Sequence, residues 1–286
     1  MSCISGGKMS VSILLKESQD LRKNSQDFLN KSLLSEKPVI VTWGLMNAGK
    51  SSLLNMLTQH IDQEFFKTND LRETIEVSAY ETDQFIYLDT PGLDANTEDN
   101  LEALKGVRDA DIVLFVHQLQ GELEANEIEF LKDVRTSFGQ YAEKNIILIL
   151  SKVDKEDRSK VDQIQNRVLE QCKQYLGFQP QCFQISNTLY QQGIQKHKDG
   201  LIRHSHIEDL KQSINTVVLN TKVVRQERYN QEKVLLLKKL TDQKKKIEVE
   251  YKAQQSLLTN GFAPFQNSLE SLKQFVEMKA QQYKKI

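Results

Sequence analysis

The eight residues from Gly44 to Ser51, GLMNAGKS, set two glycines around a variable stretch and follow the second directly with a lysine and a hydroxyl. That G-x-x-x-x-G-K-S spacing suits a triphosphate. Glycines let the backbone turn tightly, so that its N–H groups wrap the β-phosphate, and the following helix adds its positive end. An apolar run, VIVTW, precedes the loop and SLLNML follows it, which is the strand–loop–helix setting the chemistry requires. The loop predicts phosphate contacts from Gly44, Asn47, Ala48, Gly49, Lys50, Ser51 and Ser52. Lys50 is expected on the β- and γ-phosphate oxygens, and the Ser51 hydroxyl on Mg2+.

Two further stretches bear on the base and the γ-phosphate. DTPG, Asp89 to Gly92, follows the apolar run QFIYL. Asp89 is expected to support Mg2+ through water, and the Gly92 N–H to sense the γ-phosphate. SKVD, Ser151 to Asp154, follows NIILIL. A carboxylate there accepts two hydrogen bonds from guanine, at N1 and the exocyclic amine, and adenine offers no such pair of donors. Asp154 is the candidate for that role, with the stem of Lys152 along the base face. ISN, 185–187, supplies Ser186 and Asn187 near the guanine oxygen.

These residues need a scaffold. Short apolar runs at 39–43, 74–80, 84–88, 111–116, 145–150 and 181–185 alternate with helical stretches at 50–58, 98–107, 124–138 and 157–176. That alternation predicts an α/β fold with a mostly parallel sheet. IVLFV and ILIL lack polar alternation, as strands covered on both faces should. Residues 1–9 read as loose, and a helical pattern from Ser10 to Leu34 ends at Lys37-Pro38. Beyond Leu201 helical sequence continues to about Leu258; Asn260-Gly261 and Pro264 then predict a turn, with Phe262 and Phe265 plugging it and a last helix carrying Leu269, Leu272, Phe275 and Val276. The expected architecture is a P-loop GTPase domain plus a helical hairpin or bundle from the N- and C-terminal helices. The parts are an N-terminal helical segment (1–37), the P-loop domain (38–200) and a C-terminal helical domain (201–286).

Bulk composition narrows the class. With 38 basic against 39 acidic residues, dedicated nucleic-acid binding is not expected. Three cysteines, Cys3, Cys172 and Cys182, match no metal or disulfide framework and fit a reducing compartment. Neither a signal peptide nor an 18-residue apolar run is read, so the expectation is a cytoplasmic chain, with peripheral contact at the inner face of a membrane as an option.

GLMNAGKS, DTPG and SKVD resemble the first, third and fourth motifs of a GTP-binding domain, and ISN resembles a degenerate fifth. NAGKSSLLNML (47–57) and DADIVLFVHQLQGELEANEIEFLKDVR (109–135), with Glu129, Phe130 and Leu131, are similar to bacterial dynamin-like GTPases. The flanking helices are similar to that family's neck and trunk. The resemblance covers residues 10–190 and is architectural beyond Leu201; it implies GTP hydrolysis with nucleotide-dependent pairing, as a homodimer or with a related GTPase. Three departures matter. Ser151 stands in place of the usual Asn or Thr and lacks the amide that ties the base loop to the phosphate loop, so a weaker tie and reduced nucleotide affinity are expected. No separate lipid-binding paddle is apparent. Leu93 stands where Ras-like proteins place a water-orienting Gln. The water must then be held from the switch segment, where Thr74 is the first candidate for a magnesium ligand and water holder and Thr68 the second. Asn47 matches the loop asparagine of potassium-stimulated GTPases, which implies K+ beside the phosphates as a catalytic aid. Asn47, Lys50, Thr74 and Gly92 are therefore the catalytic set, and Ser51, Thr74 and Asp89 the metal set.

Other features read blandly. Lys222–Lys252 carries ten basic and five acidic residues, read as the solvated back of a packed helix, with anionic lipid as the alternative. His204 and His206 read as a polar helix start, and His117 as loop structure near the switch. Two functional alternatives stay open: a weakly hydrolysing, nucleotide-dependent scaffold or partner subunit, and an Era-like ribosome- or RNA-associated GTPase, against which the tail's lack of a GXXG loop counts.

Overall fold

The computed structural model describes residues 3–30, 37–68, 78–90 and 110–283. The helices and strands in chain order are α1 (Cys3–Asn30), β1 (Val39–Trp43), α2 (Lys50–Leu57), β2 (Ser78–Glu81), β3 (Ile86–Asp89), β4 (Ile112–Gln118), α3 (Ala125–Phe138), α4 (Ala142–Asn145), β5 (Ile146–Ser151), α5 (Arg158–Leu176), β6 (Gln181–Gln184), α6 (Asn187–Gln195), α7 (Asp199–His204), α8 (Ile207–Val218) and α9 (Thr221–Tyr283). Chain contacts divide the molecule into Leu33–Asn230 and a second unit made of Met1–Ser32 with Gln231–Ile286.

In the first unit the strands order as β2-β3-β1-β4-β5-β6. All neighbours are parallel except β2, which runs antiparallel to β3 at the edge. The fully buried IVLFV and IILIL runs occupy the centre, β4 and β5, where both faces are covered. Alternation along each strand then sorts side chains to two cores. On one face Val113 and Phe115 join Trp43, Phe130, Val134 and Val168 under α3 and α5. On the other, Ile112, Leu114 and Val116 join Leu53, Leu54, Leu210 and Ile214 under α2 and α8. Trp43 stacks on Phe130 with ring centroids 3.3 Å apart, so the Glu-Phe-Leu element is a core anchor for α3. A reciprocal capping box between Glu124 and Glu127 starts that helix.

Several expectations change. The stretch expected as one helix from Leu201 is α7, α8 and the start of α9. His206 adopts a left-handed backbone (φ 55) at the N-cap of α8, accepting the break, and its ring pairs with Asp209 at 2.8 Å. Ile207, Leu210 and Ile214 are fully buried beneath it. Residues 3–9, read as loose, extend α1, because a helix once formed propagates at low cost through weak formers such as Gly6-Gly7. The strand expected over 74–80 is observed at Ser78–Glu81; its earlier part and the helix expected over 98–107 lie outside the described residues.

In the second unit α1 and α9 associate: Gln243 Nε2 donates to the Leu14 carbonyl (3.2 Å) and Ser18 Oγ (3.0 Å), and Lys246 reaches Glu17 at 3.3 Å. The N-terminal helix therefore does join the C-terminal one. The hairpin turn does not form. α9 runs 63 residues with Pro264 inside it, and Phe262 and Phe265 are exposed on its surface rather than plugging a corner. An interior proline costs about 3 kcal/mol, a penalty that the long flanking runs of Leu, Lys, Gln and Glu absorb.

Candidate functional site

The loop from Gly44 to Gly49 leaves β1 at the C-terminal edge of the sheet and enters α2 at Lys50. Its glycines answer to geometry. A Cβ on Gly44 would stand 2.1 Å from the Val116 carbonyl oxygen, and Gly49 caps α2 with φ 96. Asn47 also holds a left-handed backbone, φ 60. Lys50, almost fully buried, donates to the Gly44 (3.0 Å) and Leu45 (2.9 Å) carbonyls, so its ammonium closes over the loop's concave side.

Ser51 opens the helix toward Asp89 at the end of β3, with Ser51 Oγ donating to Asp89 Oδ2 at 2.5 Å. Thr42 donates to the other carboxylate oxygen at 3.3 Å, and Thr90 Oγ1 donates back to the Thr42 carbonyl at 2.7 Å. Burial holds the Asp89 carboxyl above its ordinary range, outweighing the Ser51 hydrogen bond, the Lys50 charge, Thr42 and the Thr90 backbone, which lower it. A hydroxyl and a carboxylate held together beneath an ammonium form a hard-oxygen donor set that fits Mg2+. Thr74, Gly92 and Leu93 lie outside the described residues. Thr68 is described: its hydroxyl donates to the Glu64 carboxylate at 2.8 Å, an exposed local contact.

The base-side motifs converge on the same loop. Ser151 Oγ, fully buried at the end of β5, donates to the Ala48 carbonyl at 2.5 Å. The tie expected to be weaker with a serine is made by its hydroxyl in place of an amide. Lys152, at φ 61, donates to the Asn47 carbonyl at 2.5 Å, and Asn187 Nδ2 to the Gly49 carbonyl at 3.4 Å. Three donors from the fourth and fifth motifs therefore fix three successive carbonyls of the phosphate loop. The sequence signal missed Asn187's share in this. Asp154 sits exposed in a short 3-10 turn, Val153–Lys155, and Ser186 Oγ donates to its Oδ1 at 2.5 Å while accepting the Leu189 N–H. That bond holds the carboxylate in place. The Asn187 side-chain oxygen, Oδ1, is buried without a hydrogen-bond partner among the described residues.

Two polar groups in this unit were unforeseen. His117, expected in a loop, lies inside β4 at 2% exposure. Its Nδ1 is 2.9 Å from Glu127 and its Nε2 3.1 Å from the Gly121 carbonyl, so both ring nitrogens face acceptors. Burial alone would lower its pKa; the Glu127 hydrogen bond and charge, with Gly121, outweigh it and raise the value. Ser151 touches the His117 carbonyl at 3.4 Å, linking this pair to the base loop. Asp111, at the opposite end of the sheet, accepts from the Val39 N–H at 2.7 Å and from Arg225 at the start of α9, and Arg225 also donates to the Lys37 carbonyl at 2.8 Å. Neither pair follows from periodicity. Cys172 and Cys182 are free thiols, each pushed up to about 12 by burial, which fits their lack of assigned chemistry. No His/Cys/Asp/Glu cluster for a metal occurs among the described residues, His204 and His206 included.

Residues 39–152 match the profile of the family described as 50S ribosome-binding GTPase. The chain carries a domain of the P-loop GTPase fold. Among curated proteins, an uncharacterised protein of Acinetobacter baylyi is 34% identical over 182 residues, covering 62% of this chain and 41% of the relative. GTPase Era of Campylobacter hominis is 33% identical over 144 residues, covering 48% of this chain and 47% of Era. The chain thus spans less than half the length of these relatives. Among solved structures, an oligomerised bacterial dynamin pair matches 97% of this chain and 63% of its own, with TM-score 0.51 and 16% identity, a likeness of fold.

Proposed function

We propose that this P-loop GTPase domain binds GTP with Mg2+ and hydrolyses it to GDP and phosphate, and that nucleotide state is coupled to dimerisation, with itself or a related GTPase, and to movement of the helical arm. The observation that carries the reading is the convergence of Ser151, Lys152 and Asn187 on the phosphate-loop carbonyls, with Asp154 fixed by Ser186 at the same edge. In this mechanism the loop N–H groups and Lys50 hold the phosphates, and Asp154 selects guanine. Ser51 and Asp89 would hold Mg2+, which when bound neutralises charge on the β- and γ-phosphates. Gly92 and Thr74 are the proposed γ-phosphate sensor and water holder. Asn47 is the proposed seat of K+, tested by comparing hydrolysis in potassium and sodium at equal ionic strength: stimulation by potassium is expected, and equal rates remove the proposal.

Leu93 in place of glutamine supports slow basal turnover, raised when domains pair across nucleotide. Phosphate release per molecule that climbs with protein concentration is the expected result; a flat rate, with mass unchanged by nucleotide, overturns the coupling. Catalysis so weak that only nucleotide-dependent scaffolding remained would appear in the same assay. The proposed location is the cytoplasm, with peripheral membrane contact by the basic arm; no helix among the described residues is long and apolar enough to span a bilayer.

A second reading, a ribosome- or RNA-associated GTPase, is supported by the family description and the similarity to Era, confined to the GTPase portion. GTP-dependent retention of the chain on ribosomal particles would favour it over the first.

A further inference from the structure

Past its contacts with α1, α9 carries a long uncovered face. From Gln255 to Gln282 every side chain is exposed except Ala263, which is half-buried. On this stretch Leu258, Phe262, Phe265, Leu269, Leu272 and Val276 recur at alternating steps of four and three, and each is 57–65% exposed. Six large apolar residues in a strict heptad seam are the pattern of a helix that packs knobs-into-holes on another helix.

We infer that this seam is the interface of an antiparallel two-helix coiled coil between two copies of the chain. Charge argues for a protein partner: between Leu258 and Gln282 the two glutamates, Glu270 and Glu277, match the two lysines, Lys273 and Lys279, leaving no basic excess for an anionic surface. Area argues that one copy suffices. The exposed seam amounts to roughly 700 Å2 per helix, so two copies bury about 1,400 Å2, within the range of stable interfaces. The residue pattern sets direction. Parallel pairing would place Lys279, the next seam position, against its own copy. Antiparallel pairing centred on Asn267 sets Leu258 against Val276, Phe262 against Leu272 and Phe265 against Leu269, so that each ring meets an aliphatic side chain. It also leaves Pro264 outside the seam. The contact is isologous, closed by a two-fold axis, and forms without nucleotide.

Light-scattering mass of the full chain without nucleotide tests this. A dimer is expected for the wild type and for Asn267→Glu, and a monomer for Phe265→Glu/Leu269→Glu, with helical content and guanine-nucleotide binding retained. A monomeric wild type, or a dimer that survives the double substitution, overturns the inference. So does a monomer whose pelleting with phosphatidylglycerol–phosphatidylethanolamine vesicles is lost in the double variant, which assigns the seam to lipid. Spin labels on Gln281→Cys in a Cys3→Ser chain report direction: about 40 Å apart is expected from 1.5 Å rise per residue on either side of the axis, and a short distance contradicts the antiparallel register. Failure of GTP binding in the wild type would leave this outcome unaffected, so the two readings are separable.

Discussion

Removing one hydroxyl, Ser151→Ala, tests how the base loop supports the phosphate loop. Ser151 and Ala48 are both fully buried, and the hydroxyl sits 2.5 Å from the Ala48 carbonyl and 3.4 Å from that of His117. Alanine keeps the volume nearly unchanged, so the cost is that of leaving buried acceptors without their donor, about 1–3 kcal/mol. Part of this loosens the fold, and part is felt only when the loop must order around phosphate. If half of it appears in binding, about 0.5–1.5 kcal/mol, the GDP dissociation constant rises by more than twofold and up to roughly 12-fold, at 1.4 kcal/mol per tenfold. The assay is a fluorescence titration with labelled GDP, paired with hydrogen exchange at residues 44–51. Exchange there should quicken while the centre of β4 and β5 stays protected. A dissociation constant within twofold of wild type, with unchanged exchange in the loop, would refute the reasoning: Lys152 and Asn187 would then hold the loop without Ser151.

Further outcomes follow from the same site. Asp154→Asn should lower GTP affinity by about 10²–10³-fold, the loss of two hydrogen bonds to a charged acceptor, and shift preference to xanthosine triphosphate; competition binding reads both. Lys50→Ala should weaken every nucleoside triphosphate by about a hundredfold or more without changing base preference, since the lost contact is to phosphate. The His117 pKa is raised in the fold, so its contribution to stability is complete below the ordinary histidine value of about 6.5 and is lost as pH rises through the higher folded value. Denaturant unfolding from pH 6 to 9 should show wild-type stability falling relative to His117→Gln, and parallel curves would contradict that.

Local patterns carried much of this molecule and long-range bonds the rest. Strands β1, β4 and β5 and the phosphate loop are legible because apolar runs and glycine spacing are local signals. The partners of Ser151 and Arg225 lie 103 and 114 residues away, and a sequence pattern holds no record of such pairs. His117 reads as a loop residue because a buried histidine at a strand end looks polar until Glu127 is seen beside it. Pro264 signals a turn on propensity, a weak prior that a 63-residue helix overrides. Ser51, Asp89, Ser151 and Asp154 were nameable from their motifs. Their hydrogen-bonded partners Thr42 and Ala48 required the fold.

The central claim is guanine selection by Asp154 beside the phosphate loop, and the most direct measurement is competition of GTP against ATP for the purified chain with magnesium. GTP is expected to displace a labelled guanine nucleotide at concentrations where ATP does not, with Asp154→Asn erasing the difference. Equal displacement by ATP and GTP in a correctly folded wild type would contradict the account at its base.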